Sequence, residues 1–164
     1  RYDRWVDEPR LGASWRPGQP VHPALVEAHR TLRDRYRVPF DGFAFAWYRD
    51  GRDSVAFHRD RELKWLDDTV IAVFTLGARR PWLIRPRSAK YDHFAEDHGA
   101  THDLRPAGGD LHVMGGRAQA DWEHSVPKRP GLREGRISLQ WRWTSRQGRQ
   151  EIGGSYRKPR RYSG

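Results

Sequence analysis

Residues Arg136 to Trp143 alternate without a break. Ile137, Leu139, Trp141 and Trp143 take every second position, and Arg136, Ser138, Gln140 and Arg142 take the others. A period of two marks a β-strand, whose successive side chains point to opposite faces of a sheet. One face of this strand is apolar and must be covered by a core. The other carries two guanidinium groups and is either a wet, basic outer surface or the lining of a polar interior. Turned inward, such a row suits a dicarboxylate, because Arg grips a carboxylate through two parallel, charge-assisted hydrogen bonds. Arg136 and Arg142 stand roughly 20 Å apart along the strand at about 3.3 Å per residue, so their side chains must lean in from the two ends to meet one ligand.

The rest of the chain reads as mainly β behind one helix. Residues 1–20 are irregular, punctuated by Pro9, Pro17 and Pro20. His22–Arg37 predicts a helix, with Pro23 in its first turn and Leu25, Ala28, Leu32 and Tyr36 at spacings of three and four. Phe43–Tyr48, Ser54–His58, Trp82–Arg85 and Asp110–Met114 predict strands, with a turn at Asp50-Gly51. Thr69–Leu76 is a continuous apolar run, as in a strand buried on both faces. Residues 87–100 read as a polar loop, and Trp65 and Trp82 as core. Many short strands with Gly/Pro turns predict a sandwich or jelly roll.

Composition removes several functions. The 164 residues suit one domain and include no Cys, so disulfide frameworks, thiolate metal sites and cysteine nucleophiles are excluded. No apolar run approaches the roughly 20 residues of a membrane helix, and no signal-peptide pattern is present, so a cytoplasmic, soluble monomer is the expectation. The formal charge is +10, yet only four of the 31 basic residues are Lys and there is no Asn, a skew that GC-rich coding also produces. Half of that charge falls after Trp143, in a Gly/Ser-containing stretch with six basic residues and one acid. The chain therefore divides into a domain over residues 1–143 and a basic tail over 144–164. The tail suits either phosphate contact by counterion release or simple solvation.

His58-Arg59-Asp60 supplies an imidazole and a carboxylate two residues apart, on one side of an extended segment. His124 is the best candidate for a third ligand. Two His and one carboxylate form the facial triad of non-haem Fe(II) oxygenases, which leaves coordination positions open. Tyr48, ten residues before His58, is expected on the neighbouring strand, its hydroxyl reaching the carboxylate that Arg136 holds. His93, His98 and His102 read as exposed, and His112 as structural.

The ordered set His58-x-Asp60, His124, Arg136-x5-Arg142 resembles the AlkB family of Fe(II)/2-oxoglutarate-dependent dioxygenases. The likeness extends to Tyr48-Arg49-Asp50-Gly51 through Val55, Thr75-Leu76-Gly77-Ala78-Arg79-Arg80, Gly109 to Gly116, Gln119, Asp121-Trp122-x-His124 and Val126-Pro127. It covers about residues 7–143. The resemblance implies a double-stranded β-helix (jelly roll, cupin-like) fold, with His58, Asp60 and His124 holding Fe(II). It further implies that Arg136, Tyr48 and Ser138 bind the co-substrate 2-oxoglutarate and that Arg142 steadies its iron-bound end. With O2, such an enzyme oxidatively demethylates N-alkylated bases in DNA or RNA, a DNA-repair chemistry, releasing formaldehyde and succinate. Pro9-Arg10-Leu11 resembles part of the family's nucleotide-recognition lid. That places Arg10 and the acidic Glu62 on the substrate side together with Trp15, which is either a base-stacking residue or plain core packing, with His58 as the opposite wall of the base pocket.

Three positions depart from the family pattern: Ala46 and Ser138 stand where Asn is common, and Arg61 where an acid is common. They leave room for a 2-oxoglutarate-dependent hydroxylase or demethylase of a non-nucleic-acid substrate. A third reading is a turnover-deficient nucleic-acid-binding module. Arg85, Arg87 and Lys90 are expected to form a phosphate-contacting edge.

Overall fold

The computed structural model describes residues 10–60, 63, 66–87 and 100–146. Two antiparallel sheets account for the strands among them. The larger contains β1 (Leu11–Trp15), β2 (Phe43–Tyr48), β4 (Thr69–Gly77), β7 (Leu111–Gly116) and β9 (Arg136–Thr144), in the order β1-β2-β9-β4-β7. The smaller contains β3 (Val55–His58), β5 (Leu83–Pro86), β6 (His102–Asp103) and β8 (Trp122–Val126), in the order β3-β8-β5-β6. Two helices complete the fold, α1 (Pro23–Tyr36) and the single-turn α2 (Ala118–Asp121). None is long and apolar enough to cross a membrane.

The alternating segment is β9, and it lies near the middle of the large sheet, between β2 and β4. Its two faces meet different neighbours. Leu139 and Trp141 are buried with Trp15, Phe43 and Ala72 against Leu32 of α1. On this side the indole N–H of Trp141 donates to Nδ1 of His29 at 3.1 Å, which satisfies a buried polar pair. The opposite face turns toward the small sheet. There Tyr48, Ile71, Val73 and Met114 of the large sheet form one apolar cluster with Trp82 and Val126, and Ile84 of β5 packs against it. The polar residues of β9 share this inner face, so they line the interior between the sheets.

α1 starts where Pro23 supplies a preset φ and the His22 ring accepts from the Ala24 N–H at 3.3 Å. It ends at Arg37 in the left-handed region. Two expectations change. Residues 11–15 are a strand rather than irregular, because their backbone pairs along β2 (Leu11 to Trp47 through Trp15 to Phe43), a non-local ladder their own weak alternation does not announce. The Asp50-Gly51 turn hands the chain from the large sheet to the small one, so β2 and β3 are not a hairpin. Gly51 is required there: a side chain would begin 1.9 Å from the Arg129 carbonyl oxygen, since the 127–135 loop exchanges backbone hydrogen bonds with it.

Candidate metal centre

His58 ends β3 and stands directly across from His124 of β8 in the ladder, their ring centroids 4.3 Å apart. The backbone leaves the strand at Arg59 and carries Asp60 back toward the pair, its Oδ1 3.8 Å from His58 Nε2. One ligand atom from each of His58, Asp60 and His124 lies within 4.8 Å of the other two, a spacing that suits a single divalent ion.

Each ligand is held by a further contact. His58 Nδ1–H donates to the Ala56 carbonyl at 2.9 Å, which leaves Nε2 with its lone pair for a metal. Trp82 stacks on the His124 ring at 5.3 Å and 14°. Burial, with His58 next in weight, pushes His124 down to about 3, so it is neutral and ready to coordinate across the physiological range. Burial opposes ionisation of Asp60, but the charge and hydrogen bond of Arg142 outweigh it and hold the carboxyl below its ordinary value. Arg142 Nε donates to Asp60 Oδ2 at 2.7 Å, and its Nη2 donates to Gln140 Oε1. The Asp60 backbone N–H donates to Oε1 of the fully buried Gln119 at 2.7 Å. The Gln119 amide also contacts the sulfur of Met114. Asp60 is thus pinned from β9 and from α2.

A cavity of about 370 Å³ opens at this triad and runs inward past Met114, Val73 and Ser138 to Tyr48. Arg136 continues the row one step beyond Ser138 on the same face. It is 1% exposed, and among the described residues its one hydrogen bond runs from Nη2 to Thr75 Oγ1 at 3.3 Å. Its Nε and Nη1 are buried without a partner. Burial, reinforced by Arg80, lowers Arg136 to about 10, so it remains a cation at neutral pH. Tyr48 pairs with Arg136 across β2–β9, and burial raises its phenol above the usual value. Tyr48 is therefore the neighbour of Arg136 rather than of His58. It thus lies on the strand neighbouring the arginine row, while β3 with His58 belongs to the other sheet.

The substrate-side expectations fare unevenly. Arg10 lines the cavity and hydrogen-bonds Tyr48. Trp15 cannot stack a base in this cavity. Its register with Phe43 turns it to the helix face, where it is 6% exposed, stacked on Phe43 at 4.8 Å and donating to the Gln19 carbonyl. Glu62, Arg61, Trp65, Lys90, His93, His98 and most of the tail lie outside the described residues. His102 is exposed and Trp82 buried, as expected. Arg85 forms no open phosphate edge: its guanidinium lies over Phe57 at 3.8 Å and donates to Glu123 at 3.0 Å.

Sequence reasoning missed the supporting roles of Gln119 and Arg80. Arg80 is 1% exposed and donates to the carbonyls of Asp50, Asp53 and Pro127, while its guanidinium lies 4.9 Å from the Tyr48 ring centre. Both sit inside the motifs quoted above, but nothing local marks them as buried anchors.

Residues 13–142 match the family model described as the 2OG-Fe(II) oxygenase superfamily. Among curated proteins, the chain is 30% identical over 126 residues to "Alpha-ketoglutarate-dependent dioxygenase alkB homolog 3" of Bos taurus, covering 77% of this chain and 44% of that protein. It is 33% identical over 120 residues to the protein of the same name in Rattus norvegicus (73% and 41%). To "DNA oxidative demethylase ALKBH2" of Arabidopsis thaliana it is 29% identical over 147 residues (79% and 45%). The chain thus spans less than half the length of these relatives. A match across most of the two sheets, together with the triad, the inward Arg136 and these relatives, leads to one assignment: the chain belongs to the 2OG-Fe(II) oxygenase superfamily, within its AlkB family.

Proposed function

We propose that this protein is an Fe(II)/2-oxoglutarate-dependent dioxygenase that oxidatively demethylates N-alkylated bases in nucleic acid, on a double-stranded β-helix. The observation that carries the reading is Arg136, a buried cation with two unpartnered nitrogens, on the same inner face whose other end reaches the His58, Asp60, His124 cluster. A five-carbon diacid answers both ends. The donor set also fits, since two neutral imidazoles and one carboxylate are ligands for Fe(II) that leave open positions. When bound, the iron and 2-oxoglutarate supply oxidation of a substrate C–H bond by O2, with succinate and CO2 as co-products.

The protein's own residues bind and orient. Asp60 stays ionised because Arg142 donates to it, and that same bond aims its second oxygen at the two imidazoles. Arg136, with Tyr48 beside it and Ser138 one step along the strand, offers donors to the far carboxylate. Trp82 and Val73 give the cavity dry walls, which strengthens those interactions. Arg10 lines the same cavity beside Tyr48, and a flipped base would enter from the open side of the triad.

A second reading, with a non-nucleic-acid substrate, is favoured by one feature. Ala46 and Ser138, the two departures from the family pattern, stand opposite each other across β2–β9 on the inner face. Two small groups thus replace two amides at one spot beside Tyr48. The first test is anaerobic titration of the full chain with Fe(II) and 2-oxoglutarate, which should give the visible charge-transfer band of the chelate. Formaldehyde release from oligonucleotides bearing 1-methyladenine or 3-methylcytosine then tests the substrate. A chelate band and succinate formation without formaldehyde from either oligonucleotide would reject the nucleic-acid substrate and leave the second reading.

A further inference from the structure

Besides Arg136, a second side chain of the inner face carries buried nitrogens without a partner among the described residues: His112, itself half-buried. His112 lies on β7 opposite Val73, two residues from Met114 on the same face. Both of its ring nitrogens are buried and neither makes a hydrogen bond. Its ring rests on Trp82 at 4.5 Å, and the same indole lies 5.3 Å from His124. Trp82 therefore separates the metal cluster from His112. Thr75, which accepts from Arg136, is the next inner-face residue of β4 after Val73, so His112, Thr75 and Arg136 form one polar end to the interior. Among the described residues Arg80 and Arg85 each leave one buried nitrogen without a partner, whereas His112 and Arg136 leave two each, and such unmet groups are costly. One carboxylate would meet both.

We propose that His112 is a binding residue for the far carboxylate of the co-substrate, donating an N–H alongside Arg136 and Tyr48. The inference rests on the reading that 2-oxoglutarate occupies this cavity. Its geometric content is that the diacid extends from the His124 side of Trp82 to the His112 side. Burial, with the charge of Arg136 second, lowers His112 to about 4, so the ring is neutral and keeps one N–H to give. A strand position that faces a core calls for an aliphatic residue. A neutral donor there adds recognition without adding a second buried cation beside Arg136.

The test compares 2-oxoglutarate with 2-oxopentanoate, which keeps the chelating end and lacks the far carboxylate. Binding to the Mn(II)-loaded full chain is measured by calorimetry, with no turnover involved. His112→Leu should weaken 2-oxoglutarate about tenfold, the effect of one hydrogen bond to a charged group, and leave 2-oxopentanoate within about twofold. His112→Gln, which keeps an N–H, should recover part of the loss. Unchanged 2-oxoglutarate affinity in His112→Leu, or equal weakening of both ligands, would overturn the inference, the latter by showing a packing role. Should His112→Leu not fold, His112→Gln against the natural chain decides by the same ratio of the two ligands. Failure of the natural chain to bind 2-oxoglutarate at all would instead overturn the reading of the cavity.

Discussion

Replacing Arg136 with Met should do two opposite things. In the metal-free protein, Arg136 is a buried cation whose Nε and Nη1 have no partner and whose single bond goes to Thr75. Each unmet donor costs about 1–3 kcal/mol, and the bond it does make returns about 1 kcal/mol. Buried ionic groups exchanged for apolar residues of similar volume often leave a protein as stable or more so. The variant should therefore be stabilised by roughly 1–3 kcal/mol, which at about 2–4 °C per kcal/mol raises the metal-free Tm by roughly 2–12 °C. The liganded state should suffer. Removing a buried, hydrogen-bonded charge partner costs about 2–5 kcal/mol, so 2-oxoglutarate affinity should fall by roughly thirtyfold to several thousandfold. Scanning calorimetry of the metal-free chain and anaerobic titration of the metal-loaded chain read the two effects separately. A fall in metal-free Tm together with unchanged 2-oxoglutarate affinity would make Arg136 an ordinary fold-stabilising residue and refute the argument.

Three further outcomes follow from particular contacts. Gln119→Ala removes the acceptor that fixes the Asp60 backbone, so metal affinity should fall about 10- to 100-fold in a chelator competition, and unchanged affinity would show that Arg142 alone positions the carboxylate. The pH dependence of the metal-free protein should carry the mark of His112. Its folded value of about 4 lies below the ordinary 6.5, so as pH falls the unfolded chain takes the proton first. This residue thus leaves stability untouched above about pH 6.5 and erodes it between about 6.5 and 4, by about 3 kcal/mol in full. His112→Leu should flatten the Tm–pH curve in that window, and superimposable curves would contradict the burial argument. Finally, deleting residues 146–164, which include six basic groups and one acid, should weaken DNA binding and flatten its salt dependence; an unaltered slope would make the tail a bystander.

What the sequence made legible has a physical pattern. The triad was readable because an imidazole and a carboxylate two residues apart are a local geometric fact, and because His124 sits in its own recognisable stretch. The inner face of β9 was readable because alternation of eight residues fixes which side chains share a face. Trp15 stayed open between two readings for the same reason in reverse. A large aromatic next to a lid-like motif is equally suited to either face, and only the pairing of Trp15 with Phe43 decides, since a slip of one residue would have turned it to the cavity. Tyr48 was expected on the strand beside the arginine row and lies there, opposite Arg136, although spacing along the chain alone says nothing about which sheet each strand joins.

The residues that escaped altogether share another property: the contacts that give them their roles are to backbone groups distant in sequence. The two terminal nitrogens of Arg80 donate to three carbonyls from two separate loops, and Gln119 accepts from a backbone N–H 59 residues away. Neither leaves a periodic or compositional trace. Arg136 and His112 go one step further, since among the described residues their unpaired nitrogens have no protein partner at all. Stability alone would select against both, because an apolar side chain at either place would cost less to bury. On the proposed reading a ligand that enters the cavity meets both, and a single far carboxylate would account for both sets of unmet donors. The two variants must then be coupled. Arg136→Met and His112→Leu together should weaken 2-oxoglutarate by a factor different from the product of the single effects, whereas two residues serving different ligands would combine independently.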